Sequence, residues 1–314
     1  MTQESKHVVY HAHRTPIQRI IIVHGSSPWR NDVLADLKFG PAGYPAEAKN
    51  SVKRVFQILS DVELDALEYA AVYGLRMGEK KAISIGKAAK SANITMSMHA
   101  PYYISLASKK DDVRERSRNR LIKALKFAPL MGVKRIVFHA GGYSGRDPNE
   151  AYQLILDSLQ EVWSTAGHHG NGALLAPEIA GKLKAFGSVD EIIRICENVE
   201  GCIPTIDWAH MYARRQGGIA TKKDYLDILE VFEGRLGEKF TKNMHFHVSG
   251  IIFTKAGEKA HRPLDGKWGP DILPLVEVIR EVGYKPTFIS ETPDSLKGAL
   301  YTKYLFEELE KAQQ

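Results

Sequence analysis

Histidines and carboxylates recur at the ends of short β-rich segments of this sequence. Each of six segments runs directly into such a residue, in the order His99, His139, Glu178, Asp207, His245 and Glu291. One polar residue at a strand end usually has a structural role, but six that converge would be costly to bury together unless a cation neutralises them. A mixture of imidazole and carboxylate ligands suits zinc, manganese or iron. The pattern therefore predicts a divalent metal centre.

Other polar residues lie near this set in the sequence. His210 follows Asp207 by one turn, and His261 lies in the loop after the seventh segment. We interpret His247 as a hydrogen-bonding partner behind the ligands. Glu68 ends the second segment and could be a ligand, a substrate contact or a structural partner, but we do not include it among the predicted ligands.

The elements that must position these residues are eight strands alternating with amphipathic helices. The predicted strands are Leu37–Tyr44, Ala66–Tyr69, Thr95–His99, Arg135–His139, Ala173–Glu178, Thr205–Asp207, Met244–Val248 and Thr287–Glu291. The predicted helices cover 117–130, 151–163, 189–196, 223–232, 272–282 and 295–311. Eight such units predict a TIM (β/α)8 barrel over residues 36–314, with an N-terminal extension at 1–35. An open doubly wound sheet is the rival, but the glycine-rich phosphate loop that such sheets usually carry is absent.

Composition excludes several classes of protein. The chain has 314 residues, of which 44% are hydrophobic and 25% charged, so it is neither disordered nor fibrous as a whole. Two cysteines exclude a disulfide framework and a four-cysteine zinc site. The apolar run Ile20–Val23 is too short for a signal peptide or a membrane span. We therefore expect a cytoplasmic, intracellular monomer that does not bind membranes, and the net charge of +6 permits a nucleic acid partner.

Five ordered motifs give the chain a resemblance to a known family. They are His99-Ala100-Pro101-Tyr102 with Ile104 to Ser108 after it, Phe138-His139, Pro177-Glu178, Asp207-Trp208-Ala209-His210 and Ser290-Glu291-Thr292-Pro293. Together they resemble endonuclease IV, also called AP endonuclease family 2, whose members have a xylose-isomerase-like TIM barrel. The segment His245–Ile251 resembles archaeal members of that family.

The resemblance implies a ligand for each of three metal positions. His99 and His139 would bind the first ion, Glu178 would bridge the first and second, and Asp207, His245 and Glu291 would complete the second. His210 and His261 would bind the third, where the family pattern Asp-x-His is replaced by Lys259-Ala260-His261. We expect two or three ions, Zn²⁺ or alternatively Mn²⁺, with a weak third site unless Glu258 or Asp265 replaces the missing carboxylate.

The resemblance also implies an activity. The chain would hydrolyse the phosphodiester bond 5′ to an abasic site in double-stranded DNA during base excision repair, leaving a 3′-hydroxyl and a 5′-deoxyribose phosphate. Glu178 and Glu291 are the predicted catalytic carboxylates. Tyr102 would contact the DNA at the lesion, and basic residues on the barrel rim would contact the phosphate backbone. The rim candidates include Arg76, Lys255 and Arg262.

Two other functions fit the same residues. A sugar isomerase or epimerase would use one divalent ion held by a similar set, Glu178, Asp207, His245 and Glu291, with two carboxylates moving a proton beside a carbonyl. Such an enzyme has no need of His99, His139 and His261, which favours the nuclease. A DNA-lesion binding protein with little catalysis is the second alternative, and Lys259 in place of a carboxylate is its main support.

Overall fold

The predicted strands form a closed ring in a computed structural model, which describes residues 36–312. The barrel strands are β1 Lys38–Pro41, β2 Ala66–Ala70, β3 Thr95–His99, β4 Val133–Phe138, β5 Leu174–Pro177, β6 Ile206–Asp207, β7 His245–Val248 and β10 Thr287–Ser290. Each predicted strand overlaps one of them, which confirms the TIM-barrel prediction. The predicted extension at residues 1–35 lies outside the described residues.

Parallel pairing brings the carboxyl ends of all eight strands to one mouth of the barrel. One run of strands has the order β1, β10, β7, β6 and the other has β2, β3, β4, β5. Parallel bridges between Ala42 and Glu68, and between Glu178 and Thr205, join the two runs. Barrel enzymes build their sites on this face, so the residues that follow the strands are the ones to examine.

The first strand contains Gly40 and Pro41, which are unusual residues for a buried strand. A Cβ atom at Gly40 would lie 2.0 Å from the carbonyl oxygen of Ala66, so the close approach of β1 to β2 requires glycine here. This contact explains why glycine occupies this position of the strand.

Helices cover the outside of the barrel. They are α1 Val52–Asp61, α2 Glu79–Ser91, α3 Asp111–Met131, α4 Pro148–Ala166, α5 Val189–Asn198, α6 Trp208–Arg214, α7 Lys222–Leu236, α8 Glu238–Thr241, α9 Leu273–Val282 and α10 Ser295–Lys311. Capping boxes begin α5 at Ser188 and α7 at Thr221, while Pro148 occupies the first turn of α4. Among the helices of residues 36–312, none is long and apolar enough to cross a bilayer.

A two-stranded hairpin interrupts the connection after β7. Its antiparallel strands are β8 Gly250–Thr254 and β9 Gly257–Arg262, so His261 lies on a strand and not in an irregular loop. Ile252 pairs with Ala260 and Phe253 pairs with Glu258, which leaves Lys259 as a bulged residue without a partner. A one-residue bulge changes the alternation of faces, so Glu258 lies on the same face of β9 as His261.

Candidate metal centre

Glu178 lies at the centre of the polar side chains at the barrel mouth. It follows β5 and is 1% exposed. Its Oε2 lies 3.2 Å from Nε2 of His99 and 3.3 Å from Nε2 of His139. Its Oε1 lies 3.1 Å from Nδ1 of His247 and 3.3 Å from Nδ1 of His210. Each carboxylate oxygen therefore faces two imidazoles, and this geometry is compatible with a carboxylate that bridges two cations.

Two groups of ligand atoms share Glu178. One consists of His99, His139 and Glu178, and the other of Glu178, Asp207, His247 and Glu291; within each group the ligand atoms all lie within 4.8 Å of one another. The strands position both groups because their side chains lie at, or directly after, the carboxyl-terminal part of neighbouring strands of the ring. The first group is the one that the sequence predicted for one ion.

An unpartnered atom supports the metal interpretation. Asp207 is fully buried, and its Oδ1 accepts a hydrogen bond of 2.6 Å from the backbone N–H of His210 at the start of α6. Its Oδ2 is also buried and has no hydrogen-bond donor. A buried carboxylate oxygen without a donor is costly, whereas a divalent ion among these oxygens and nitrogens would compensate for that cost. The donor set therefore fits zinc or manganese.

The second group contains His247, whereas the sequence predicts His245 as the ligand. Among residues 36–312, His245 belongs to a deeper group with Glu68 and His247, and its Nε2 lies 3.2 Å from Oε2 of Glu68. Both histidines point into the barrel because they are two residues apart on β7. His247 is the one nearer the carboxyl end of the strand, so it reaches the level of Glu178 and Glu291. The geometry therefore favours His247 over the predicted His245 in the second ligand group.

A third group lies beside the hairpin. His210, His261 and Glu291 offer ligand atoms within 4.8 Å of one another, and the Nε2 atoms of the two histidines are 3.3 Å apart. Both Nδ1 atoms have other partners: that of His210 lies 3.1 Å from the carbonyl of Ile179, and that of His261 lies 2.7 Å from Oγ of Ser249. When Nδ1 carries the hydrogen, each Nε2 has a free lone pair for a cation.

A carboxylate also approaches this third group from the hairpin. Oε2 of Glu258 lies 3.1 Å from Nε2 of His210 and accepts a hydrogen bond of 3.1 Å from the N–H of Gly181. Lys259 is exposed. A carboxylate thus lies three residues before His261, where the family pattern has one two residues before it, because the bulge at Lys259 turns Glu258 to the His261 face.

The electrostatics of the centre depend on its imidazoles. Burial alone would raise the pKa of Glu178, but His139, His247 and His210 outweigh it and hold that pKa well below the usual range. Burial raises the pKa of Asp207 to about 6 although His210 opposes the shift, and burial also raises the pKa of Glu291. A divalent ion would reverse these two upward shifts, since a nearby positive charge favours ionised carboxylates.

The predicted DNA contacts lie around the mouth. Tyr102 is 64% exposed, and its ring centroid lies 5.8 Å from that of His99. Arg76 and Lys255 are exposed, and the guanidinium of Arg262 lies 5.6 Å from the ring centroid of Trp268. Two further aromatic residues, Tyr73 and Tyr103, are exposed and were not among the predicted DNA contacts. Both could be identified from the sequence, since they are tyrosines in the loops that follow β2 and β3.

Comparisons with known proteins give relatives of two kinds. An uncharacterized protein of Methanocaldococcus jannaschii is 33% identical over 257 residues, which cover 82% of this chain and 92% of that protein. A protein named "Probable endonuclease 4" from Ureaplasma urealyticum is 28% identical over 160 residues, which cover 48% of this chain and half of that protein. The match to this endonuclease relative therefore spans only about half of each chain.

Solved structures share the barrel. Endonuclease IV of Thermus thermophilus superposes with a TM-score of 0.67 at 20% identity, covering 87% of this chain and 99% of that one. D-psicose 3-epimerase of Clostridium cellulolyticum superposes with a TM-score of 0.62 at 15% identity, covering 88% and 97%. At these identities both likenesses show the fold alone.

The family model described as "Xylose isomerase-like TIM barrel" matches residues 56–311, and the chain is therefore a member of the xylose isomerase-like TIM-barrel family.

Proposed function

We propose that this chain is a metal-dependent endonuclease that hydrolyses the phosphodiester bond 5′ to an abasic site in DNA, leaving a 3′-hydroxyl and a 5′-deoxyribose phosphate. The observation that carries the proposal is the position of Glu178, whose two oxygens each face two imidazoles. A site for a single ion would not require His99 and His139 beside Oε2 of Glu178. The relatives named endonuclease 4 support the same interpretation.

The proposal assigns each group of side chains to an ion. His99, His139 and Glu178 would hold the first, and Glu178, Asp207, His247 and Glu291 the second. His210 and His261 would hold the third together with a carboxylate. Divalent ions at these positions would neutralise phosphoryl oxygens and lower the pKa of water to form a nucleophile near neutral pH. Zn²⁺ is the proposed ion, with Mn²⁺ as the alternative.

The side chains themselves have three tasks in this proposal. Glu178 belongs to both the first and the second ligand group, and Glu291 belongs to both the second and the third. Tyr102, exposed above His99, contacts the DNA where the base is missing. Arg76, Lys255 and Arg262 contact backbone phosphates, which gives affinity for DNA without sequence preference.

A sugar epimerase is the second candidate, because one observation favours it. Glu178, Asp207, His247 and Glu291 form a complete four-residue site for one ion, and structural neighbours with this barrel include ketose epimerases. Parallel assays of one metal-loaded preparation distinguish the two functions. We expect nicking of a duplex with a single tetrahydrofuran site and no epimerisation of ketoses such as fructose, tagatose and ribulose. Epimerisation without nicking would reject the nuclease.

The third ion gives a separate prediction. We expect about three ions per chain in freshly purified protein, and Glu258→Gln should lower this number toward two because the amide lacks the charge that offsets dehydration of a divalent ion. Lys259→Asp should leave the number unchanged, since the bulge places residue 259 off the Glu258 face. Elemental analysis of the three proteins is the measurement. A wild-type count of two that Lys259→Asp raises to three would instead indicate a weak site made of His210 and His261 alone.

A further inference from the structure

Glu68 lies beneath the metal centre, in a layer that the proposed reaction does not use. It is on β2, is fully buried and is paired in register with Ser97 of β3. The Ser97 hydroxyl donates a hydrogen bond of 2.8 Å to its Oε2. Two imidazoles of β7 share the same oxygen: Nε2 of His245 lies 3.2 Å from Oε2 and Nε2 of His247 lies 3.3 Å from it, while Oε1 has no hydrogen-bond donor. Oε2 of Glu68 therefore faces donors from two other strands.

These contacts determine where the imidazoles carry their hydrogen. An ionised carboxylate only accepts hydrogen bonds, so Nε2 of His247 must donate to it. A neutral imidazole has one N–H, and its Nδ1 is then left with a free lone pair. That Nδ1 lies 3.1 Å from Oε1 of Glu178 and 3.3 Å from Oε1 of Glu291, two oxygens that cannot donate when ionised. Nδ1 can therefore either carry a second hydrogen and donate it to Glu178 while no ion is bound, or give its lone pair to a cation that lies between it and the two carboxylates.

Arg135 places a positive charge near the Glu68 carboxylate. Burial lowers the pKa of Arg135 on β4 to about 10, and the nearby Glu68 carboxylate opposes this shift. The Arg135 guanidinium also donates a hydrogen bond of 2.8 Å to the carbonyl of Asn243, just before β7. A cation is therefore already present near this layer. This favours a polar support over a further metal site made of Glu68, His245 and His247.

We propose that Glu68 is a positioning residue for the metal centre: its carboxylate holds the N–H of His247 on Nε2 and so presents Nδ1 of His247 to the ion shared with Glu178, Asp207 and Glu291. A carboxylate behind a histidine ligand fixes the ring and increases its basicity. The inference rests on the metal centre of the proposed function, but not on the reaction that takes place there.

The test compares two substitutions of a carboxylate by its amide on the same segment. Glu68→Gln replaces the proposed support with a nearly isosteric neutral group. Asp65→Asn makes the same chemical change three residues earlier, at a side chain that accepts from the backbone N–H of Phe39 and pairs with Lys38. Zinc is titrated calorimetrically into each chelator-stripped protein. We expect Glu68→Gln to weaken zinc binding at one site about 10- to 100-fold, and Asp65→Asn to leave it unchanged.

A second readout reports the hydrogen position directly. In the zinc-loaded wild type, the ¹⁵N chemical shifts of the His247 ring, assigned by their loss in His247→Asn, should show a metal-bound Nδ1 and a hydrogen-bearing Nε2, and this pattern should be partly lost in Glu68→Gln. A purely structural role for Glu68 would not move this hydrogen. Should Glu68→Gln fail to fold, Glu68→Gln/Arg135→Gln removes both buried charges and serves for the same comparison.

Two results would overturn the inference. One is zinc affinity and a His247 ring spectrum that are the same in Glu68→Gln as in the wild type. The other is an additional equivalent of zinc that disappears in Glu68→Gln while the remaining sites keep their affinity, which would make Glu68 a ligand. Neither result depends on nicking. A wild type that binds zinc with this His247 pattern but leaves abasic DNA intact would reject the proposed function and retain the inference.

Discussion

Glu178→Gln should abolish cleavage of abasic DNA while DNA binding survives. The amide keeps the shape of the side chain but loses the charge shared between two ligand groups, so both should bind their ions more weakly. Losing several kcal/mol of charge stabilisation corresponds to a fall in kcat of more than about 1000-fold. Affinity for an abasic duplex should stay within about threefold, because the phosphate contacts come from the rim.

Single-turnover nicking and fluorescence anisotropy measure the two effects of this substitution. Glu281→Gln on α9 is a matched control, since Glu281 is exposed and pairs with Lys222 on the barrel exterior. Cleavage within tenfold of the wild type would contradict the bridging role. Loss of binding together with an unfolded circular dichroism spectrum would mark Glu178 as a structural residue.

His247→Asn and His245→Asn should have very different effects although the two residues are neighbours on β7. His247 contacts both Glu178 and Glu291, so its loss should remove about one ion per chain and lower kcat more than about 100-fold. His245 contacts Glu68 in the layer below. Its replacement should keep the metal count and mainly lower the melting temperature, because a buried hydrogen bond to a charged group is changed.

Elemental analysis, nicking and thermal melts of both histidine variants test this difference. The reverse order, in which His245→Asn loses the ion and His247→Asn keeps it, would restore the ligand set that the sequence alone suggested and would contradict the geometry described above.

The sequence predicted the barrel because each strand carries a local signal. Short β-rich segments recur between amphipathic stretches, and the polar residue at the end of each segment indicates the functional face. His99, His139 and Glu178 could be predicted as a group since all three directly follow or end strands. Alternation along a strand predicts only whether a side chain points into the barrel or out of it.

The sequence does not indicate how deep a side chain lies within the barrel or where a strand contains a bulge. His245 and His247 have the same parity on β7, and their different depths follow from how β7 is aligned with its neighbours. Glu258 faces His210 only because β9 contains a bulge at Lys259, and no residue pattern in the hairpin indicates that bulge. Glu68 is identified only through its contact with His245 of β7, which is 177 residues away in the chain.

Mapping the ends of the cleaved strand tests the central proposal most directly. A duplex with one tetrahydrofuran site, labelled at the 5′ end of the damaged strand, is incubated with chelator-stripped protein, then with the same protein after addition of Zn²⁺ or Mn²⁺. We predict no cleavage before metal is restored and one nick afterwards, immediately 5′ to the lesion, with a 3′-hydroxyl that a DNA polymerase extends, while the undamaged duplex stays intact. An intact abasic strand with either metal, or cleavage that chelation does not affect, would contradict the proposal.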